Sequence, residues 1–142
     1  MTTIKGDLLE ITEGIICHQV NCQRVAGAGL ALQIRKKWPE WYDGFLAYTP
    51  RLGDAMLWAV TPNLIIASLY AQQNYGTGLQ TDYFAFDTSL LRLRQRVRES
   101  YFENKQAYMP LGIGCGLAGG DWSVIEPMIE RYFPNAILVE KD

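Results

Sequence analysis

Several things are scarce in this chain of 142 residues, and each scarcity excludes something. Cysteine occurs three times, at Cys17, Cys22 and Cys115. An odd count without CxxC spacing argues against a disulfide framework and for a reducing, intracellular setting, so a cytoplasmic location is expected. Histidine occurs once, as His18. Cys17-His18…Cys22 matches no common zinc pattern, and no metal site is expected; burial as a structural thiol suits Cys17 better. Long apolar runs are missing. The longest, Leu64–Ala71, is far short of the roughly 20 residues that span a bilayer, and no membrane association is expected. The start, Met1–Asp7, lacks the basic-then-apolar order of a signal peptide. There is no GxxxxGK[ST] and no GxSxG, so neither an ordinary P-loop nor a nucleophile elbow is present.

What is there is globular. Apolar residues make up 49%, charged residues 20%, and the net charge is −2. Residues 1–142 are expected to form one domain, and a monomer. Strand-like and helical patterns alternate. Thr2–Lys5 reads as a short strand, and Glu13–Val20, with Ile15-Ile16-Cys17, as a buried one. Gly29–Trp38 reads as a helix through Leu30, Ile34 and Trp38, ended or kinked by Pro39. Trp41–Tyr48 is a second helix. Ala55–Val60 and Leu64–Leu69, joined by Thr61-Pro62-Asn63, predict an antiparallel hairpin. Asn74–Asp82 is a loop, and Phe84–Phe102 the longest helix. Ala107–Leu111 is a strand, Gly112–Gly120 a glycine-rich loop, Asp121–Phe133 a helix and Ala136–Glu140 a last strand. Strands separated by helices predict an α/β/α layering, and the hairpin makes the sheet of about six strands mixed.

Two strand–loop–helix units stand out. Ile15–Val20 leads through Asn21-Cys22-Gln23-Arg24-Val25-Ala26-Gly27-Ala28-Gly29 into a helix. Ala107–Leu111 leads through Gly112-Ile113-Gly114-Cys115-Gly116-Leu117-Ala118-Gly119-Gly120 into another. Glycine lets backbone approach a ligand closely, and free N–H groups at a helix start attract anions. Two such loops at strand ends are suited to grip a diphosphate from both sides. The plain alternative is a pair of tight turns; the recurrence favours ligand binding. Gly114-Cys115-Gly116-Leu117-Ala118-Gly119 is also a literal dinucleotide fingerprint, but a Rossmann domain would continue with further βα units.

Taken in order, Gly6-Asp7-Leu8-Leu9, Val20-Asn21-Cys22-Gln23 with Gly27-Ala28-Gly29-Leu30-Ala31, and Pro110–Trp122 resemble a macrodomain, the ADP-ribose-binding α/β fold. The resemblance spans nearly the whole chain. It is nearest to small members of the branch that includes the yeast ADP-ribose-1″-phosphate phosphatase and the terminal ADP-ribose protein glycohydrolase. It implies ADP-ribose or a derivative as ligand, ADP-ribosylated macromolecules as a further class of partner, and no cofactor. Asp7 would accept a hydrogen bond from the adenine amino group beside the Leu8 amide; its plain role is to cap a turn. Asn21 would reach the distal ribose; its plain role is turn closure. The backbones of Gly27, Ala28, Gly29 and Leu30, and of Gly112, Ile113, Gly114, Cys115, Gly116 and Leu117, would hold the diphosphate and distal ribose.

Departures from the family bear on chemistry. The Lys–Asp pair of the terminal glycohydrolase is missing: Ala55–Ala59 holds no lysine, and Ala118 stands where the aspartate would be. The deacylase aspartate of the first loop falls at about Ala31. Two catalytic candidates remain. Asp121 would position or deprotonate a water at the distal ribose, with helix capping as its plain role. His18 would act as acid or orienting group, with a hydrogen-bonded structural role as the alternative. Hydrolysis of a distal-ribose phosphate or ester is thus weighed against a non-catalytic reader. The run Arg92, Arg94, Arg96, Arg98 suggests nucleic acid, but residues two apart do not share a helical face, and a solvated face suits it better. Tyr70, Tyr75, Tyr83, Phe84 and Phe86 are stacking candidates for adenine or ribose, with core packing as the default. Trp122 suits either a cover for the distal ribose or a core anchor.

Overall fold

The computed structural model describes residues 1–142. In chain order the elements are β1 (Thr2–Gly6), β2 (Gly14–Asn21), α1 (Gly29–Lys37), α2 (Pro39–Ala47), β3 (Ala55–Thr61), β4 (Leu64–Gln72), α3 (Tyr83–Arg98), β5 (Ala107–Pro110), α4 (Trp122–Tyr132) and β6 (Ile137–Lys141). A single 3-10 turn covers Leu8–Glu10. The strands form one sheet in the order β1-β6-β5-β2-β4-β3. Every neighbouring pair is parallel except β3 with β4, which is the expected antiparallel hairpin. The fold is α/β with a mixed six-stranded sheet.

β2 and β4 read as unbroken apolar runs because both faces of the sheet are covered. Side-chain alternation sends Ile15 and Cys17 of β2 and Ile65, Ala67 and Leu69 of β4 toward Phe86, Leu90 and Leu93 of α3 and Ile125 and Ile129 of α4. The opposite set, Ile16, Val20, Leu64, Ile66 and Tyr70, packs on Ile34 of α1 and Trp41 and Phe45 of α2. Cys17 is fully buried, and loss of hydration drives its thiol pKa up to about 12, so it is inert packing.

The differences from the predicted elements have local causes. Pro39 opens α2 at its first turn, where a missing N–H costs nothing, so it separates two helices instead of kinking one. α3 ends at Arg98 and not at Phe102. The Ser100 hydroxyl donates to the Val97 carbonyl (2.9 Å) and accepts from the Phe102 amide (3.0 Å), turning Phe102 back into the core. β4 runs on to Gln72, where an isolated bridge to Thr81 continues the pairing. The arginine run is not a uniform solvated face. Arg92 and Arg98 are exposed, but Arg96 turns inward, 3.0 Å from Asp54, and donates to the Ala55 carbonyl.

Chain direction positions the site. After β2 the chain moves to the β4–β3 side of the sheet; after α3 it returns to β5 on the other side of β2. Such a switch point leaves a crevice at the carboxyl ends of the two central strands. Both glycine loops start there.

Candidate binding site

A cavity of about 700 Å³ opens at that crevice. One wall is Val25 and Gly27–Ala31, the opposite wall Gly112–Gly114 and Gly116–Ala118, and the third Gln72 with Tyr75–Thr77. His18, Gln19, Val20 and Asn21 of β2 and Pro110 of β5 complete the lining. A smaller cleft of about 360 Å³ lies beside Arg94, Gln106 and Asn135, and neither glycine loop reaches it.

The first loop is organised by Asn21. Its Oδ1 accepts from the amides of Gln23 (2.9 Å) and Val25 (3.2 Å), and its Nδ2 donates to the Val25 carbonyl (2.8 Å). Turn closure therefore uses the polar atoms of this buried side chain, although Asn21 also lines the cavity. Beyond it, the amides of Ala26–Ala31 have no acceptor within the protein; the first to find one is Leu32, on the Ala28 carbonyl. No side chain caps α1. Five of these residues, Gly27–Ala31, line the cavity, together with the positive end of the helix.

The second loop folds on itself through Ile113 to Pro110, Cys115 to Gly112, Gly119 to Gly116 and Gly120 to Gly114 bonds of 2.8–3.1 Å. That pattern leaves the amides of Gly112, Gly114, Gly116, Leu117 and Ala118 without internal acceptors. The loop is tied to the third wall. The Thr81 hydroxyl donates to the Gly114 carbonyl (2.6 Å), and the amides of Gln80 and Thr81 both donate to the Ala118 carbonyl. Gln19 Nε2 donates to Thr81 Oγ1 (2.9 Å) and Gln72 Oε1 (2.8 Å), which leaves Gln19 Oε1 buried and unpartnered. No Asp, Glu, Lys or Arg lines the cavity. An anion there would meet backbone N–H groups and uncharged polar side chains, with no cationic side chain in the wall.

The expected site residues divide into two groups. Gly27, Ala28, Gly29, Leu30, Gly112, Ile113, Gly114, Gly116, Leu117, Asn21 and His18 come together on the cavity. Cys115 does not line it; its thiol lies 3.5 Å from the Ile113 carbonyl. Asp7, Leu8 and Asp121 also lie off it. Asp7 caps the 3-10 turn, its Oδ1 accepting from the Leu9 amide at 2.9 Å, while Leu8 is buried. Asp121 caps α4, and its Oδ1 accepts from both the amide and the hydroxyl of Ser123 (2.9 and 2.7 Å). Those bonds hold its carboxyl below the usual range, so it is ionised at neutral pH.

Sequence reasoning missed Gln19, Gln72 and Thr77 as wall residues, because they reach the site through strand pairing and loop contacts that no local pattern records. Of the aromatic group, only Tyr75 lines the cavity. Tyr70 and Phe86 are core, Phe84 is exposed, and the Tyr83 hydroxyl accepts from the Asp121 amide. Trp122 packs partly against the core, and its Nε1 donates to Glu126.

His18 is buried, and loss of hydration lowers its pKa from 6.5 to about 3. The unfolded chain, with an ordinary histidine, binds the extra proton across that window. Stability contributed by the neutral ring is complete above pH about 6.5 and falls as pH drops toward 3. Urea unfolding at pH 7 and pH 5 should differ by about 2 kcal/mol, with most of the difference absent in His18→Asn. Equal stability at both pH values would contradict the burial of a neutral ring.

No family model matches the chain. An uncharacterized 17.5 kDa protein from the tk-vs intergenic region of phage T4 is 30% identical over 158 aligned residues, covering 98% of this chain and 94% of its own. Among solved structures, a macrodomain protein from Streptomyces coelicolor superposes with a TM-score of 0.73 at 25% identity, covering 99% of this chain and 97% of that one. The macrodomain of Mycobacterium tuberculosis DarG gives 0.81 at 21%, covering 98% and 95%. Thermosipho africanus DarTG, solved in complex with ADP-ribose, gives 0.82 at 16%, covering 99% of this chain and 42% of that one. The sheet order and the facing glycine loops define a three-layer α/β domain with a crevice at the central strands. The chain has the macrodomain fold.

Proposed function

We propose that the cavity binds ADP-ribose, free or attached to a macromolecule, and that recognition is the function the site serves. The observation that carries this is the pair of facing amide sets, Gly27–Ala31 on one side and Gly112, Gly114, Gly116, Leu117 and Ala118 on the other, across a cavity without charged side chains. Such a site suits a diphosphate held by N–H groups and a helix start. Asp7 then has a place in the same reading. Neighbouring strands are ~4.8 Å apart, so the end of β1 lies roughly 10 Å from Gly112 and 14 Å from Asn21 along the strand ends. Adenine lying past the diphosphate would meet Asp7, whose Oδ2 makes no hydrogen bond within the protein. Tyr75 supplies an aromatic face at the third wall. The DarTG complex supports the ligand class through a shared fold.

Hydrolysis of a phosphate or ester at the distal ribose is the second reading. It would rest on Asp121 as the group activating water and His18 as acid or orienting group. The geometry favours recognition over it, because Asp121 Oδ1 is engaged by Ser123 off the cavity and His18 is buried and neutral.

Calorimetric titration tests both. ADP-ribose should bind in the micromolar range and AMP more weakly. Asp7→Ala should weaken ADP-ribose about five- to tenfold, the worth of one hydrogen bond. ADP-ribose-1″-phosphate should release no phosphate above background. Folded protein that ignores millimolar ADP-ribose would overturn the binding reading. Phosphate release lost in Asp121→Ala would establish the hydrolytic one.

A further inference from the structure

Behind the first glycine loop, three buried side chains form a row: Trp41 of α2, Ser68 of β4 and His18 of β2, exposed by 0%, 0% and 1%. Trp41 Nε1 lies 3.0 Å from Ser68 Oγ, and His18 Nε2 lies 2.7 Å from the same oxygen. The imidazole meets the indole edge-on, with centroids 5.1 Å apart. His18 and Ser68 are paired directly across the parallel strands β2 and β4, so the backbone register sets their contact.

The polarity of this row can be worked out. An indole N–H only donates, so Ser68 Oγ accepts from Trp41. The hydroxyl has one proton of its own, and its only other partner is His18 Nε2. Were the imidazole proton on Nε2, the serine proton and the Nδ1 lone pair would both be stranded in the interior. With the proton on Nδ1, Ser68 donates to Nε2 and a single group is left over. Each unmade buried hydrogen bond is costly, and stranding one group instead of two decides for the second arrangement. Protonation at both nitrogens is opposed by burial. The leftover group, Nδ1–H, is buried without a partner within the protein, and His18 is among the residues that line the cavity.

We propose that His18 is a tautomer-locked, uncharged hydrogen-bond donor whose Nδ1–H binds an acceptor oxygen of the ligand, with Ser68 and Trp41 as positioning residues that fix this polarity. The proposal rests on the reading of the cavity as a ligand site. It replaces a proton-transferring role for His18 by a recognition role: the Nδ1 proton is shared with the ligand and stays on the ring. The ligand group it selects is a hydroxyl, carbonyl or phosphoryl oxygen; an N–H or ammonium group at that point is rejected, since two donors would face each other.

The test starts with the wild-type protein. Long-range 15N–1H correlation of the single histidine should place the proton on Nδ1, and adding ADP-ribose should shift that proton and slow its exchange. A proton on Nε2, or an Nδ1–H that ADP-ribose leaves unchanged while it binds, overturns the proposal. Variants supply the second arm. His18→Asn carries an amide donor near the Nδ1 position and should stay within about threefold of wild-type affinity. His18→Gln, whose amide extends toward the Nε2 position, and His18→Phe should lose about tenfold, or roughly 1.4 kcal/mol. Ser68→Ala removes the lock, and should let the proton redistribute to Nε2 and weaken binding although residue 68 does not line the cavity. Full affinity in folded His18→Phe also overturns the proposal. If wild type binds no ADP-ribose, the functional reading fails and the ligand role with it, while the tautomer spectrum still reports on the lock by itself.

Discussion

Gly114→Val should abolish measurable ADP-ribose binding, weakening it at least a hundredfold, and lower the melting temperature by about 10 °C. Gly114 sits at φ +78°, a region closed to β-branched residues. A Cβ there would lie 2.8 Å from Gln19 Oε1 and 3.1 Å from Ile125 Cδ1. Neither neighbour can yield freely. Gln19 is held by Thr81 and Gln72, and Ile125 is fully buried in the α3/α4 layer. Backbone strain of about 1–2 kcal/mol and overpacking of about 1–3 kcal/mol add up to a few kcal/mol. For a domain of this size each kcal/mol is worth roughly 3 °C. The loop would relieve the clash by moving, and that re-aims the amides of Gly112, Gly114 and Gly116 together. Gly116→Ala is the control: its φ is not positive and an added Cβ meets nothing within 4 Å, so stability should change by less than about 0.5 kcal/mol. Calorimetric titration beside thermal unfolding checks both variants. Wild-type affinity in Gly114→Val would remove the second loop from the ligand wall.

Trp41→Ala should be the most destabilising single change near the site, at about 3–5 kcal/mol, or a melting temperature lower by roughly 10–15 °C. The indole is fully buried and stacks on Phe45 at 5.0 Å with planes 14° apart. Its truncation opens a void between α2 and the sheet and leaves Ser68 Oγ without its donor. Trp41→Phe keeps most of the packing and loses the N–H, so it should cost about 1–3 kcal/mol. Urea unfolding measures the series. A Trp41→Ala cost below 1 kcal/mol would mean that this layer collapses around the gap.

Glycines, polar turn residues and apolar runs made both loops legible as strand-to-helix loops, because the features that mark them are contiguous in the chain. The same local logic located the hairpin and the α4 start, where Asp121 caps as expected. It did not extend to the direction in which a functional side chain points. Asn21 and Asp121 each carried two readings. In the structure the local one is occupied in both cases, since a short polar side chain finds backbone N–H groups two or more residues ahead of it. Arg96 shows the converse. On a helix of arginines at every second position it looked solvated, yet Asp54 across the fold draws it inward.

Sequence by itself determined the alternation of strands and helices, the mixed sheet and the two amide-rich loops, because each depends on residue type at short spacing. Only the tertiary structure decided that β2 and β5 are neighbours, that Gln72 and Tyr75–Thr77 close the third wall, and that no charged side chain faces the cavity. It also decided that His18 is buried against Ser68 and Trp41, residues 50 and 23 positions away. Those outcomes depend on strand order and parallel register, which are set by the packing of both sheet faces at once and are written in no single segment.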